Sequence, residues 1–297
     1  MRKLCNTIVL GCCLTLSGDL TAQRVDTTYF AFTYANDYFT ATDYYFTQGL
    51  DFEYVRHGRH FRLRQEGYTP TSIRADSILR GDRPYAGTLY ISYGVGERQL
   101  GGARGCRACE EGQPHLAWSL DLGVIGPASL AEAEQKYIHR QTGNIEPRGW
   151  QYQIHNDLIL NGHLNITHTL HDSPFLRAGV AASVDLGTYR IGSEWATEAR
   201  VGLLPADRWF AASLLLRPSV YFVGYDATLQ GGVFAGGASP YTLSHDQLRR
   251  TIGRVTGGVE LQLGRLRLAF SHTYIGRTFV GGRRHAWGGV ELGYAGK

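Results

Sequence analysis

Along HLAWSLDLGVIG the apolar residues fall on every second position: Leu116, Trp118, Leu120, Leu122 and Val124 share one face, and Ala117, Ser119, Asp121 and Gly123 the other. The period recurs in TGGVELQLG, where Val259, Leu261 and Leu263 alternate with Gly258, Glu260 and Gln262. It recurs again in GRLRLAFSHTYIG, where Leu266, Leu268 and Phe270 alternate with Arg267, Ala269 and Ser271. A period of two belongs to a strand with unlike faces. The polar face is too small and too charged for a dry core, yet it suits a lumen. Spanning barrels carry such strands, apolar outward and polar inward, in segments of about ten residues separated by turns. A soluble β-sandwich shares the period, so the choice rests on the chain's other features.

The N-terminus supplies one of them. Met1-Arg2-Lys3 is basic, an apolar run from Leu4 to Leu16 follows, and Leu20-Thr21-Ala22 ends on a small residue. This pattern predicts a secretory signal peptide over residues 1–22, with the mature protein beginning at residue 23. Cys12 would suit a lipoprotein signal, but bulky Leu10 and the short apolar run before it argue against that. Without Arg2, Lys3 and Asp19 the chain has 28 basic against 25 acidic residues, a formal +3. So mild a charge predicts no nucleic-acid footprint. No later run of eighteen apolar residues offers a transmembrane helix. Export, length, polar inward faces, 38 Gly and 18 Tyr together favour an all-β outer-membrane barrel, with small residues inward and tyrosines at the interfaces.

Strands are expected near 28–37, 45–56, 60–67, 86–98, 115–125, 150–170, 174–186, 188–203, 209–223, 249–263, 265–280 and 286–295. That is a transmembrane up-and-down antiparallel β-barrel of about 12 strands, an even number that puts both termini on the periplasmic side. The outer loops are then 38–44, 68–85, 126–149, a tight turn near Gly187, 224–248 and 281–285. The third loop should hold a short helix, opened by Pro127, built on Ala131 to Lys136 and closed by Gly143. On it Glu132, Gln135 and His139 share a face, while Leu130, Ala133, Tyr137 and Ile138 are apolar anchors.

Asn36 and Asp37 at one strand end, Thr47 near the start of the next and His139 on the helix are polar groups at a membrane rim. Placing such groups beside a bilayer is costly, which suggests an enzyme acting on lipid. Each also has a plainer reading: Asn and Asp are common turn residues, and a His in a last helical turn favours the helix dipole.

The segments ANDYFTATDYYFTQG, YTPTSIRADSILRGDRPYAGTLY, LDLGVIGPASLAEAEQKYIHRQTG, GWQYQIHND and DATLQG resemble, in the same order, the outer-membrane lipid A 3′-O-deacylase family. The resemblance implies a twelve-stranded barrel with its active site at the outer surface, between barrel wall and loop helix. It also implies removal of the acyloxyacyl chain at the 3′ position of lipid A, with calcium. The family's Asn-Asp pair falls on Asn36 and Asp37, its strand-two hydroxyl on Thr47 and its helix-borne catalytic histidine on His139. Arg74 is nearest to its basic residue in the second outer loop.

Ester hydrolysis needs a nucleophile, a proton acceptor and a means of holding the oxyanion. No G-x-S-x-G elbow occurs in the chain, so an activated water is expected. His139 is assigned as general base, Asp37 as Ca2+ ligand, and Asn36 and Thr47 as positioning or oxyanion-side groups. Strand parity, however, puts Asp37 and Thr47 on one face and Asn36 on the other. Arg74, Arg83 and Gln135 are the expected substrate-binding residues, the arginines suiting the phosphates of lipid A. Arg83 has a structural alternative as a partner of Asp82 or of a strand-end carbonyl. Cys106-x-x-Cys109 reads as a local disulfide in a periplasmic turn rather than a metal site. A monomer is expected. An outer-membrane phospholipase and a catalytically silent barrel, pore or adhesin, stay open as other readings.

Overall fold

The computed structural model describes residues 28–40, 44–96, 114–204, 209–235 and 237–296. The expected leader, residues 1–22, and Cys106-x-x-Cys109 lie outside the described residues. Twelve strands follow in chain order: β1 (Thr28–Asn36), β2 (Tyr45–Arg56), β3 (Arg59–Thr69), β4 (Ala86–Val95), β5 (Pro114–Ile125), β6 (Asp157–Asp172), β7 (Leu176–Gly187), β8 (Arg190–Leu203), β9 (Phe210–Asp226), β10 (Thr251–Leu263), β11 (Leu266–Ile275) and β12 (His285–Ala295). Each pairs antiparallel with its neighbours, and β1 closes on β12 from Tyr29↔Ala295 to Asn36↔Gly288. Closure pairs the polar backbone edges that hydrocarbon cannot solvate.

The alternation read from the sequence decides which face points where. Phe30, Phe32, Phe52, Phe61, Leu63, Leu120, Leu122, Leu268 and Phe270 are exposed on the outside, while Tyr29, Glu53, Glu66, Asp121, Glu260 and Arg267 are buried inside. The interior is cross-linked by charge. Arg64 pairs with Glu66 at 2.6 Å, Arg217 with Glu194 at 3.2 Å and Arg267 with Glu260 at 2.8 Å, and Arg200 also reaches Glu260. His163 bridges Asp121 and Asp185, at 2.5 Å each. Desolvated charges persist only when paired and hydrogen-bonded, and these pairs line the inner face of the barrel.

At the outer end the loops pack into an apolar lid. Tyr45, Leu229, Leu243, Leu248 and Phe279 are buried together there, while Phe46, Tyr68, Tyr90, Ile154 and Tyr189 form a second cluster at the top of the lumen. The chief departure from the expected strands is at β6, which begins at Asp157 rather than near 150. Trp150–Tyr152 forms a 3₁₀ turn instead, because fully buried Trp150 packs against Tyr85 and Ala131 while Ile154 N–H donates to Tyr85 O at 2.9 Å. A helix, α1 (Ala131–Thr142), stands in the third outer loop and is closed by Gly143 as expected, but Pro127 opens a separate 3₁₀ turn, Pro127–Ser129, and left-handed Leu130 (φ 62°) divides the two; a single turn, α2 (Ala227–Gln230), follows β9.

Candidate active site

The parity conflict among Asn36, Asp37 and Thr47 is resolved by a β-bulge. The β2–β3 register slips between Phe46 and Gln48, so Thr47 is the extra residue. A bulge adds a residue to one strand and re-aims its side chains. Thr47 and Gln48 thereby both lie over Gly67 of β3: a Cβ there would stand 3.0 Å from Gln48 Cγ and 3.4 Å from Thr47 Cγ2. Gly67 shares its face with exposed Phe61 and Leu63, so these two polar side chains sit on the lipid side of the wall. Asn36 pairs in register with Gln48. Its Nδ2 donates to the Tyr34 hydroxyl at 2.9 Å, and its Oδ1 accepts from Tyr38 N–H at 2.7 Å. The second bond is an Asx turn that ends β1 and opens the 3₁₀ turn Asp37–Thr40, burying Asp37 at its first position.

Helix α1 is laid against this patch. Gly126, at φ 103°, turns the chain off β5, and its N–H donates to Gly87 O at 2.8 Å. Gln65 Nε2 donates to Ser129 O at 2.6 Å. Gly87 leaves room for the entry to the helix, since a Cβ there would lie 2.2 Å from Ser129 Oγ and 2.7 Å from Ala131 Cβ. From the helix, Gln135 Nε2 donates to Thr47 Oγ1 at 3.1 Å, and its Oε1 accepts from Trp150 Nε1 at 2.7 Å. Gln48 Nε2 donates to Glu134 Oε2 at 2.5 Å. Burial pushes the Glu134 carboxyl up to about 7, against which the Gln48 bond pulls. The Tyr34 hydroxyl lies within electrostatic reach of both Glu134 and Asp37.

Of the apolar residues expected to anchor the helix, Leu130 and Tyr137 are 60% and 58% exposed and Ala133 is exposed, while Ile138 is half-buried. The polar face is buried and the apolar face looks outward, as suits a helix lying between a protein wall and lipid. Glu132 turns to Lys136 at 2.6 Å and Gln153 at 3.3 Å. His139, one turn beyond Gln135, is half-buried, and its Nδ1 lies 2.5 Å from Ile145 O in the segment returning from the helix. A carbonyl can only accept, so Nδ1 carries a proton, and in the neutral form of the ring the lone pair is on Nε2.

The arginines divide. Exposed Arg74 follows Ile73, whose carbonyl accepts from Arg148 N–H at 2.9 Å, so its loop borders the return segment of the helix. Arg83 is buried beneath the lid. Its guanidinium lies 4.1 Å from the Tyr68 ring centroid and donates to the Thr228 hydroxyl, while the Asp82 side chain accepts from Thr71 and, at 2.8 Å, from the Arg83 backbone N–H. The structure thus gathers Asn36, Asp37, Thr47 and Gln135 with α1, carries His139 on the same helix, and leaves Arg83 in the lid. Gln48, Glu134, Tyr34 and Trp150 join the site without having been singled out in the sequence. Among the described residues no group of three or more His, Cys, Asp or Glu side chains converges as a metal site.

A closed barrel with an apolar exterior, a charge-lined lumen and a helix clamped to the outward face of its outer rim defines an outer-membrane β-barrel with its site outside the lumen. The model of the family described as "Outer membrane protein LpxR" matches residues 8–295, and the chain belongs to that family. LpxR from Salmonella typhimurium superposes with a TM-score of 0.72 at 16% sequence identity, over 90% of this chain and 99% of that one, which shows the shared fold. The β domain of the Bordetella autotransporter BrkA aligns at a TM-score of 0.41 and 13% identity, over 91% and 97%. The NanC porin aligns at 0.39 and 6%, over 91% and 99%. No curated protein sequence matches the chain.

Proposed function

We propose that this outer-membrane protein is a lipid A deacylase, a carboxylic ester hydrolase that cleaves the 3′-O-acyl ester by water activated at His139. The observation that carries the reading is the held imidazole: Ile145 O fixes the tautomer of His139 at 2.5 Å, on a helix whose polar face is clamped to the lipid side of the wall. A neutral Nε2 takes a proton from water, and the hydroxide adds to the ester carbonyl. Collapse of the tetrahedral intermediate breaks the bond to the sugar oxygen, which takes the proton back from the imidazolium. The products are a fatty acid and a free 3′-hydroxyl. Asn36 and Thr47 are the positioning groups, Arg74 borders the substrate, and Gln135, expected to bind it directly, lies behind Thr47 with both ends of its amide engaged.

The donors on hand suit calcium. The Asp37 carboxylate and the side-chain oxygens of Asn36 and Thr47 are oxygen donors of the kind a hard cation prefers. Asp37 would hold the ion. When bound, calcium supplies positive charge against the developing oxyanion.

The test is mass spectrometry of lipid A incubated with the purified full-length protein. The parental protein is expected to release one acyl chain, and chelation to stop the release until calcium is restored. His139→Ala should be slower by about 10²–10⁴-fold, the usual contribution of a positioned base. Parental rates in His139→Ala, or acyl chain trapped covalently on the protein, would refute the mechanism.

A further inference from the structure

Thr47 is the one hydroxyl in the cluster that touches the helix, and its proton has a direction. The indole of Trp150 can only donate, so the Gln135 amide must turn its oxygen to Trp150, at 2.7 Å, and its nitrogen to Thr47, at 3.1 Å. This assignment follows from chemistry, because the reverse orientation would oppose two donors. Thr47 Oγ1 therefore accepts, and its own proton points elsewhere. Among the described residues none accepts that proton. All three side chains are buried, at 0% exposure for Trp150, 2% for Gln135 and 5% for Thr47, so no exposed group can reset the chain. The Trp150 ring is itself pinned against Tyr85, with centroids 5.0 Å apart.

We infer that Trp150, acting through Gln135, fixes Thr47 as a hydrogen-bond donor to the ester oxygen and bars it from acting as a nucleophile. A nucleophilic hydroxyl needs a base to take its proton. The partner here is a donor, so the hydroxyl stays protonated. A buried hydroxyl whose proton is kept for an entering oxygen is the preorganised donor that stabilises an oxyanion. Gln135 and Trp150 are positioning residues, because they act on the substrate only through Thr47. The inference rests on the deacylase reading and adds two residues and a polarity to it.

Steady-state deacylation by the purified full chain in detergent tests it. Gln135→Glu exchanges the donor for an acceptor of the same size, which should draw the Thr47 proton to itself. It and Thr47→Val are each expected to lower kcat by about 10²–10³-fold, the usual loss of one oxyanion donor. KM should stay within about twofold, since a transition-state interaction is lost. Thr47→Ser should retain most of the activity. Trp150→Phe, which frees the amide to turn over, should fall between. The double variant Thr47→Val/Gln135→Glu should be no slower than Thr47→Val alone, because both changes remove the same proton. Parental kcat in Gln135→Glu, or a double variant losing the product of the two single effects, overturns the inference. The Gln135 side-chain amide protons, read by nuclear magnetic resonance, report the polarity without turnover: they should shift in Thr47→Val, and an unchanged spectrum overturns the inference. Shifted amide protons in a protein that never cleaves lipid A would refute the deacylase reading alone.

Discussion

Glu134 is a carboxyl held between helix and wall, where its charge is poorly solvated. Burial raises it from 4.5 in the open chain to about 7 when folded. The folded state therefore binds more protons than the unfolded between those values, and stability falls as pH climbs through that window. Below the window both states are protonated and no penalty remains. Glu134→Gln keeps the shape and removes the charge. It should stabilise the protein at pH 8 and leave stability unchanged near pH 4, as read by thermal melting in chelator. An equal gain at both pH values would show that burial of the charge is not the cause. At this scale the sequence discloses some residues and hides others. Asn36, Asp37, Thr47 and His139 stand in segments long enough to recognise. Gln48 and Trp150 do not, because a bulge that slips the register at Phe46/Gln48 leaves no mark in an alternation pattern, and because Trp150 meets Gln135 only once β6 is found to start seven residues later than expected.

At the level of elements, the site depends on bare patches of wall. Gly67 and Gly87 bring the backbone of β3 and β4 close to α1, and side chains there would occupy space that the bulge and the helix entry already fill. Gly87→Ala places a methyl group 2.2 Å from Ser129 Oγ, an overpacking that typically costs about 1–3 kcal/mol. The loop can yield more easily than the ladder. The variant should thus keep its closed barrel, seen as a mobility shift on heating in gels, yet lose deacylation and gain tryptic cleavage at Lys136 and Arg140. Retained activity with a protected helix would show that the seat tolerates a side chain. The strands were readable because a period of two survives in each of them, and α1 was readable from its helix formers, Ala131 to Lys136, and from Gly143. The side on which α1 docks was not. The rule that apolar faces turn inward assumes water outside, and here Leu130 and Tyr137 stay exposed while the polar face of the helix docks.

For the whole molecule, the charged lumen governs what the barrel can pass. Glu260 is shared by Arg200 and Arg267, Glu194 faces Arg217 and Arg254, and His163 ties Asp121 to Asp185, so paired charges recur along the interior. Removing such charges singly would leave their partners buried and unpaired, which holds the set together. Reconstituted into planar bilayers, the protein should give no stepwise ion current. Regular single-channel steps from pure protein would contradict a lumen blocked by these pairs. In the sequence Glu260 and Arg267 already stand on the polar faces of neighbouring strands, although alternation alone cannot tell a watered lumen from a cross-linked one.

The paired charges of the interior bear on the cell as well as on the barrel. A Gram-negative outer membrane resists antibiotics and bile salts because few routes lead through it, and each open barrel adds to passive influx. On the deacylase reading, a site mounted on the outside of a barrel whose lumen is crossed by ion pairs escapes that conflict: its copy number could rise to remodel the outer leaflet without adding an open channel.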